Sequence, residues 1–103
     1  MFSFLKNMIS GSKTNYKELV SNGAMIVDVR TKGEFAGGHI PNSMNIPLQE
    51  LQKNLKKFKK DMVIITCCAS GMRSASAKSI LKSAGISEVY NGGGWASLQN
   101  KLR

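Results

Sequence analysis

The sequence predicts an α/β domain with a mainly parallel central sheet flanked by helices. Three observations predict it. Two apolar, β-branched runs, AMIVDVR (24–30) and MVIIT (62–66), have the composition of strands buried on both faces. Segments with helical spacing and capping signals separate the strand-like runs. The 103 residues suit one domain with its own core. A content of 42% hydrophobic and 20% charged residues is that of a globular chain that folds without disulfide staples or structural metal.

The elements follow in order. NYKELVSN (15–22) is a short helix, with Asn15 as N-cap, Glu18 at the capping-box position and Gly23 as its stop. AMIVDVR is the first buried strand. Thr31 and Glu34 then have the T-x-x-E spacing of a capped helical turn, closed by Gly37 and Gly38. Met44 to Ile46 is a short strand, and Pro47 opens a helix that runs to about Phe58. Met62 to Thr66 is a second buried strand. Residues 67–72 are a loop of small side chains, and helical periodicity begins near Arg73, takes in Ala77, Ile80, Leu81 and Ala84, and stops at Gly85. Glu88 to Tyr90 is a further strand, Gly92 to Gly94 a turn, and Trp95 to Leu102 a final helix.

Composition narrows the function. The balance of 15 Lys+Arg against 6 Asp+Glu, a net charge of +9, attracts anions. The most basic stretch, LQKNLKKFKKD (51–61), is read as a solvated helix face, because Leu48, Leu51, Leu55 and Phe58 fall on the other side. No interleaved aromatics point to nucleic acid, although the charge suits an acidic protein partner. No stretch approaches the ~20 apolar residues of a membrane span. The start, MFSFLKNMISGSK, is broken by Lys6 and Asn7 and lacks a cleavage site, so residues 1–12 are expected to form a tail or short first strand of a cytoplasmic protein. Membrane adsorption through Phe2, Phe4 and Leu5 is the less favoured reading. The two cysteines are adjacent, which excludes a disulfide scaffold and fits a reducing compartment. One His and one Cys-Cys pair do not make a zinc site.

The chemistry concentrates in TCCASGMRSAS (66–76). The thiolate is the reactive form of cysteine, and its pKa falls at a helix N-terminus or beside a cation. Here a strand runs into a helix through Ala69, Ser70 and Gly71, whose small side chains let successive N–H groups face an anion. Arg73 adds a permanent charge with a planar donor fork. Counted from Cys67 the spacing to Arg73 is Cys-x5-Arg; counted from Cys68 it is Cys-x4-Arg. Cys67 continues the apolar strand and is read as packing. Cys68 is read as the nucleophile.

CCASGMRS (67–74) resembles the active loop of the rhodanese sulfurtransferases, Cys-x-x-Gly-x-Arg-Ser, with Cys68, Gly71, Arg73 and Ser74 in the matching positions. IVDVR (26–30) with Glu34 resembles that family's first core strand and following turn. GHIPNSMNIP (38–47) resembles its G-H-I-P-G-A-x-N-I-P segment, with Asn42-Ser43 in place of Gly-Ala. NGGGWAS (91–97) resembles its Gly-Gly-x-x-x-Trp ending with a compressed spacing. The resemblance implies a single rhodanese-like domain over residues 13–103. It implies a Cys68 persulfide that takes sulfur from thiosulfate or a persulfide and passes it to a thiol or cyanide, with no cofactor. Loop residues Ala69, Ser70, Gly71 and Met72 together with Arg73 would hold the anionic donor, and Asp28, Arg30, Cys67 and Ser74 would support the site. A monomer is expected. Apolar Met72, at the loop tip, suits a protein face or an apolar persulfide donor.

Two rival readings stand beside this one. A phosphatase-like or arsenate-reductase-like enzyme would use Cys67 and the wider Cys-x5-Arg cradle. Against it, Gly71 fits the shorter loop, and no His precedes Cys67. A sulfur-carrying or redox-sensing module would share Cys68 but serve only a protein partner. A role for Cys67 beyond packing would be to resolve the Cys68 persulfide or, on oxidation, to join Cys68 in a vicinal disulfide. His39 is expected to be a hydrogen-bonded loop residue, Trp95 to be core, and Asp28, Arg30 and Glu34 to form an ion-pair group. The Gly92–Gly94 run is not a dinucleotide fingerprint.

Overall fold

The computed structural model describes residues 14–103, so the tail or strand expected at 1–12 lies outside the described residues. Four strands form one parallel sheet in the order β2-β1-β3-β4. They are β1 (Met25–Asp28), β2 (Met44–Asn45), β3 (Val63–Cys68) and β4 (Glu88–Gly94). Helix α1 (Tyr16–Ser21) precedes β1, and α2 (Lys32–Ala36) lies between β1 and β2. Helix α3 (Leu48–Leu51) continues as a 3-10 helix (Gln52–Lys57), α4 (Met72–Ser83) joins β3 to β4, and α5 (Trp95–Lys101) follows β4.

Strand alternation divides the core in two. Ile64 and Cys68 of β3 join Val27, Ile46, Leu51 and Leu81 in one buried cluster. Ile65 and Cys67 join Ile26, Ile40 and Leu98 in the other. Successive strand side chains point to opposite faces, so each apolar run serves both layers. The pairings Asp28 with Asn45, Asp28 with Cys67 and Cys68 with Gly94 bring the carboxyl ends of all four strands to one edge. Ligands collect at that edge of an open α/β sheet.

Three boundaries differ from expectation. Strand β3 runs on through both cysteines, so the loop proper is only Ala69, Ser70 and Gly71. The helix expected from Pro47 to Phe58 is α-helical for one turn and then 3-10. Asn54 Nδ2 donates to the Glu50 carbonyl at 2.7 Å, taking the acceptor that the α-helical backbone bond would use. Lys53, Lys56 and Lys57 also repel at helical spacing. The expected turn at Gly92–Gly94 is instead the end of β4.

Those glycines answer to close approach. A Cβ at Gly92 would lie 2.9 Å from Ile65 Cγ2, Leu98 Cδ2 and the Thr66 carbonyl oxygen. One at Gly94 would lie 2.9 Å from the Ala69 carbonyl oxygen. Glycine lets β4 run hard against β3 and the loop that follows it. Gly92→Ala should destabilise the domain by about 2 kcal/mol through overpacking, read as a lower urea midpoint with unchanged slope.

Candidate active site

Cys68 ends β3, and its side chain is 1% exposed on the face covered by α4. Its sulfur meets the first turn of that helix. The Gly71 N–H donates to Cys68 Sγ at 2.9 Å and the Ser74 N–H at 3.4 Å. Ser74 Oγ lies 3.5 Å from the sulfur. Gly71, the residue before α4, has φ 109°, a left-handed conformation that glycine adopts at little cost. That turn aims its N–H back at the sulfur.

Two effects compete on the Cys68 thiol. Burial pushes its pKa up, while the Ser74 hydroxyl and the N–H groups of Ser74, Gly71 and Ser70 push it down. The hydrogen bonds win, and the thiol titrates below its ordinary value. Cys67 is the opposite case. It is fully buried in the other cluster, and its thiol is pushed up to about 12 by burial first and then by the Asp28 charge. Both cysteines are free. Because their side chains leave the strand on opposite faces, Cys67 and Arg73 do not frame a common cradle.

The supporting residues divide into two groups. Arg30 Nη2 and Asp28 Oδ2 form a buried pair at 2.8 Å. Arg30 also donates to the carbonyls of Glu34 at 3.2 Å and Gly38 at 2.7 Å, and stacks over Trp95 at 4.6 Å. This group ties the end of β1 to the segment holding α2. Glu34 does not join it through its carboxylate. That carboxylate faces Arg73 at 2.8 Å, so Arg73 is directed to α2 and not to the sulfur. His39 Nδ1 donates to the Phe35 carbonyl at 2.8 Å and its ring stacks on Phe35, the loop role expected of it. At the rim Ala69, Ser70 and Met72 are exposed, Met72 to 81%.

Sequence reading missed Asn91 and Thr66. Ser74 Oγ donates to Asn91 Oδ1 at 2.6 Å, and the same oxygen accepts from Gly93 N at 2.9 Å. Asn91 Nδ2 donates to the Gly71 carbonyl at 3.4 Å. Thr66 Oγ1 donates to the Ser74 carbonyl at 2.9 Å. These bonds fasten the loop and the start of α4 to β3 and β4. The available signal was a polar Asn at the end of a strand, directly before three glycines.

Ser74→Ala should raise the midpoint of Cys68 alkylation against pH by roughly one unit, since the Ser74 hydroxyl turns its one proton from Asn91 Oδ1 to the sulfur when the thiol ionises, and losing that bond to the charged form disfavours it. Iodoacetamide at mildly alkaline pH should modify only Cys68 in the folded chain, with Cys67 reacting after unfolding. Peptide mapping checks both.

The family model described as Rhodanese-like domain matches residues 12–101. An uncharacterised protein of Bacillus subtilis, YqhL, is 35% identical over 78% of this chain and 64% of its own length. A thiosulfate sulfurtransferase, GlpE, of Ectopseudomonas mendocina is 39% identical over 73% of this chain and 69% of its own. A human single-domain sulfurtransferase superposes with a TM-score of 0.72 at 28% identity, over 81% of this chain and 87% of that one. The chain is thus similar to sulfurtransferases in sequence and in fold. With the matching model spanning nearly all the described residues, this chain belongs to the rhodanese-like domain family.

Proposed function

We propose that this chain is a sulfurtransferase that carries sulfur as a Cys68 persulfide. One observation carries the reading: Cys68 Sγ sits at the N-terminus of α4 with the Gly71 N–H 2.9 Å away and a lowered thiol pKa. A thiol held this way yields more of the nucleophilic thiolate at a given pH than an unassisted cysteine does. The similarity to a thiosulfate sulfurtransferase supports the same chemistry.

The geometry supports the following steps. The Cys68 thiolate attacks the outer sulfur of thiosulfate. A Cys–S bond to that sulfur forms as its bond to the sulfite group breaks, and the electron pair leaves on sulfite. The Cys68 persulfide now bears the negative charge one atom further out. The N–H groups of Ser70, Gly71 and the first turn of α4 stabilise that charge, a preorganised cradle of the oxyanion-hole kind. Cyanide or a thiolate then attacks the outer sulfur, the S–S bond breaks, and the Cys68 thiolate is restored. This is double-displacement covalent catalysis. A reducing cytoplasm keeps the free thiol available.

In this scheme Ala69, Ser70, Gly71 and Met72 form the donor's entrance. Ser74 tunes the nucleophile, and the Asp28–Arg30 pair holds the neighbouring loop in place. Cys67 is packing. Thiocyanate formation from thiosulfate and cyanide tests this. Cys68→Ser should abolish it, whereas Cys67→Ala should keep the activity and lower stability by about 1 kcal/mol. Activity surviving Cys68→Ser, or lost only in Cys67→Ala that still folds, would sink the assignment.

A further inference from the structure

Arg73 stands at the rim of the Cys68 loop, yet two of its five N–H donors, one on each Nη, already face a carboxylate. Nη1 donates to Glu34 Oε1 at 2.8 Å and Nη2 to Glu34 Oε2 at 3.1 Å, a parallel two-point contact. Glu34 is held from its other side. Its Oε1 also accepts from the Thr31 N–H at 2.9 Å and Thr31 Oγ1 at 3.1 Å, which makes it half of the capping box of α2. Both side chains of the pair are about one-third exposed, so the contact lies where solvent and donor reach it. The Arg73 contact first, and then the Thr31 N–H, hold the Glu34 carboxyl down to about 2, so it stays charged at every working pH.

Arg73 also forms one wall of an open groove of about 110 Å³, lined by Val29, Thr31, Pro47, Leu48 and Gln49. Three of those residues are apolar. Beyond the loop N–H groups, a small dianion gains from unpaired positive charge at the rim, and the Glu34 carboxylate offsets the charge of Arg73. An organic persulfide brings less charge to the loop and an organic body that can use apolar surface.

We infer that Glu34 sets the donor preference of this site. By occupying Arg73 it weakens capture of a small dianion such as thiosulfate and favours an organic persulfide, R–S–SH, whose body lies in the groove beside Arg73. This inference rests on the sulfur-transfer reading above. The step balances. The Cys68 thiolate attacks the outer sulfur of R–S–SH, the new S–S bond forms as the old one breaks, and the electron pair leaves on R–S⁻. The proton stays on the transferred sulfur.

Glu34→Gln is the variant of choice, because Gln also serves the capping box while carrying no charge. The measurement is kcat/KM for thiosulfate and for glutathione persulfide. The thiosulfate-to-persulfide ratio should rise about five-fold, through a lower thiosulfate KM, and added salt should erase most of the gain. Met72→Lys provides a second arm, since an exposed N-terminal helix position accepts it and it adds an unpaired rim cation; the ratio should rise there too. A ratio unmoved in both variants overturns the inference. So does a gain in Glu34→Gln that persists when Arg73→Gln is added. Cys68→Ser separates this from the underlying reading. Turnover of either donor by that variant, or none by the wild type, overturns the Cys68 assignment itself and the inference with it.

Discussion

The Gly71 N–H points at the Cys68 sulfur from 2.9 Å, and much of the surrounding structure serves that contact. A buried thiolate is costly, because removal from water disfavours the charged form. Here the cost is offset by backbone N–H groups that a strand-to-helix turn leaves unpaired. The turn is short enough only because Gly71 takes φ 109°. It stays in place because Asn91 of β4 holds both Ser74 Oγ and the Gly71 carbonyl. Asn91 comes close enough only because Gly92 and Gly94 let β4 pass within contact of Thr66 and Ala69. Remote glycines and an asparagine thus act on the acidity of one sulfur.

The adjacent cysteines show how strand geometry separates chemically identical groups. One residue of offset sends Cys67 to the other face of the sheet. There it meets apolar side chains and the Asp28 charge, and its thiol is pushed up to about 12. Cys68 meets a helix N-terminus, and its thiol is pushed down. The basic composition has little part in this. Arg73 at the loop is paired with a carboxylate, and the leading stabilisation of the thiolate comes from Ser74 and backbone groups. The net charge of +9 therefore acts at longer range, on how anions approach the surface.

Local signals were the legible ones. The buried strands around Val27 and Ile64, the Asn15 and Thr31 caps, and the Cys68–Gly71–Ser74 spacing all depend on neighbours in sequence. What was not legible depends on tertiary approach. A run of three glycines reads as a turn unless the backbone that β4 grazes is known. The fork of Arg73 reads as a substrate ligand unless Glu34, 39 residues earlier, is known to reach it. The same holds for Asn91, whose partners lie in a different element. The change from α to 3-10 helix at Gln52 involves Asn54 capturing a backbone carbonyl and like charges on Lys53, Lys56 and Lys57.

The most direct test of the account is to follow the sulfur atom itself. The folded chain is incubated with a sulfane-sulfur donor, excess donor is removed, and fragmentation mass spectrometry locates the sulfur gained between the two adjacent cysteines. The account predicts one added sulfur on Cys68 and none on Cys67, released when cyanide is added. An added sulfur on Cys67, or a sulfur on Cys68 that cyanide leaves in place, would contradict it.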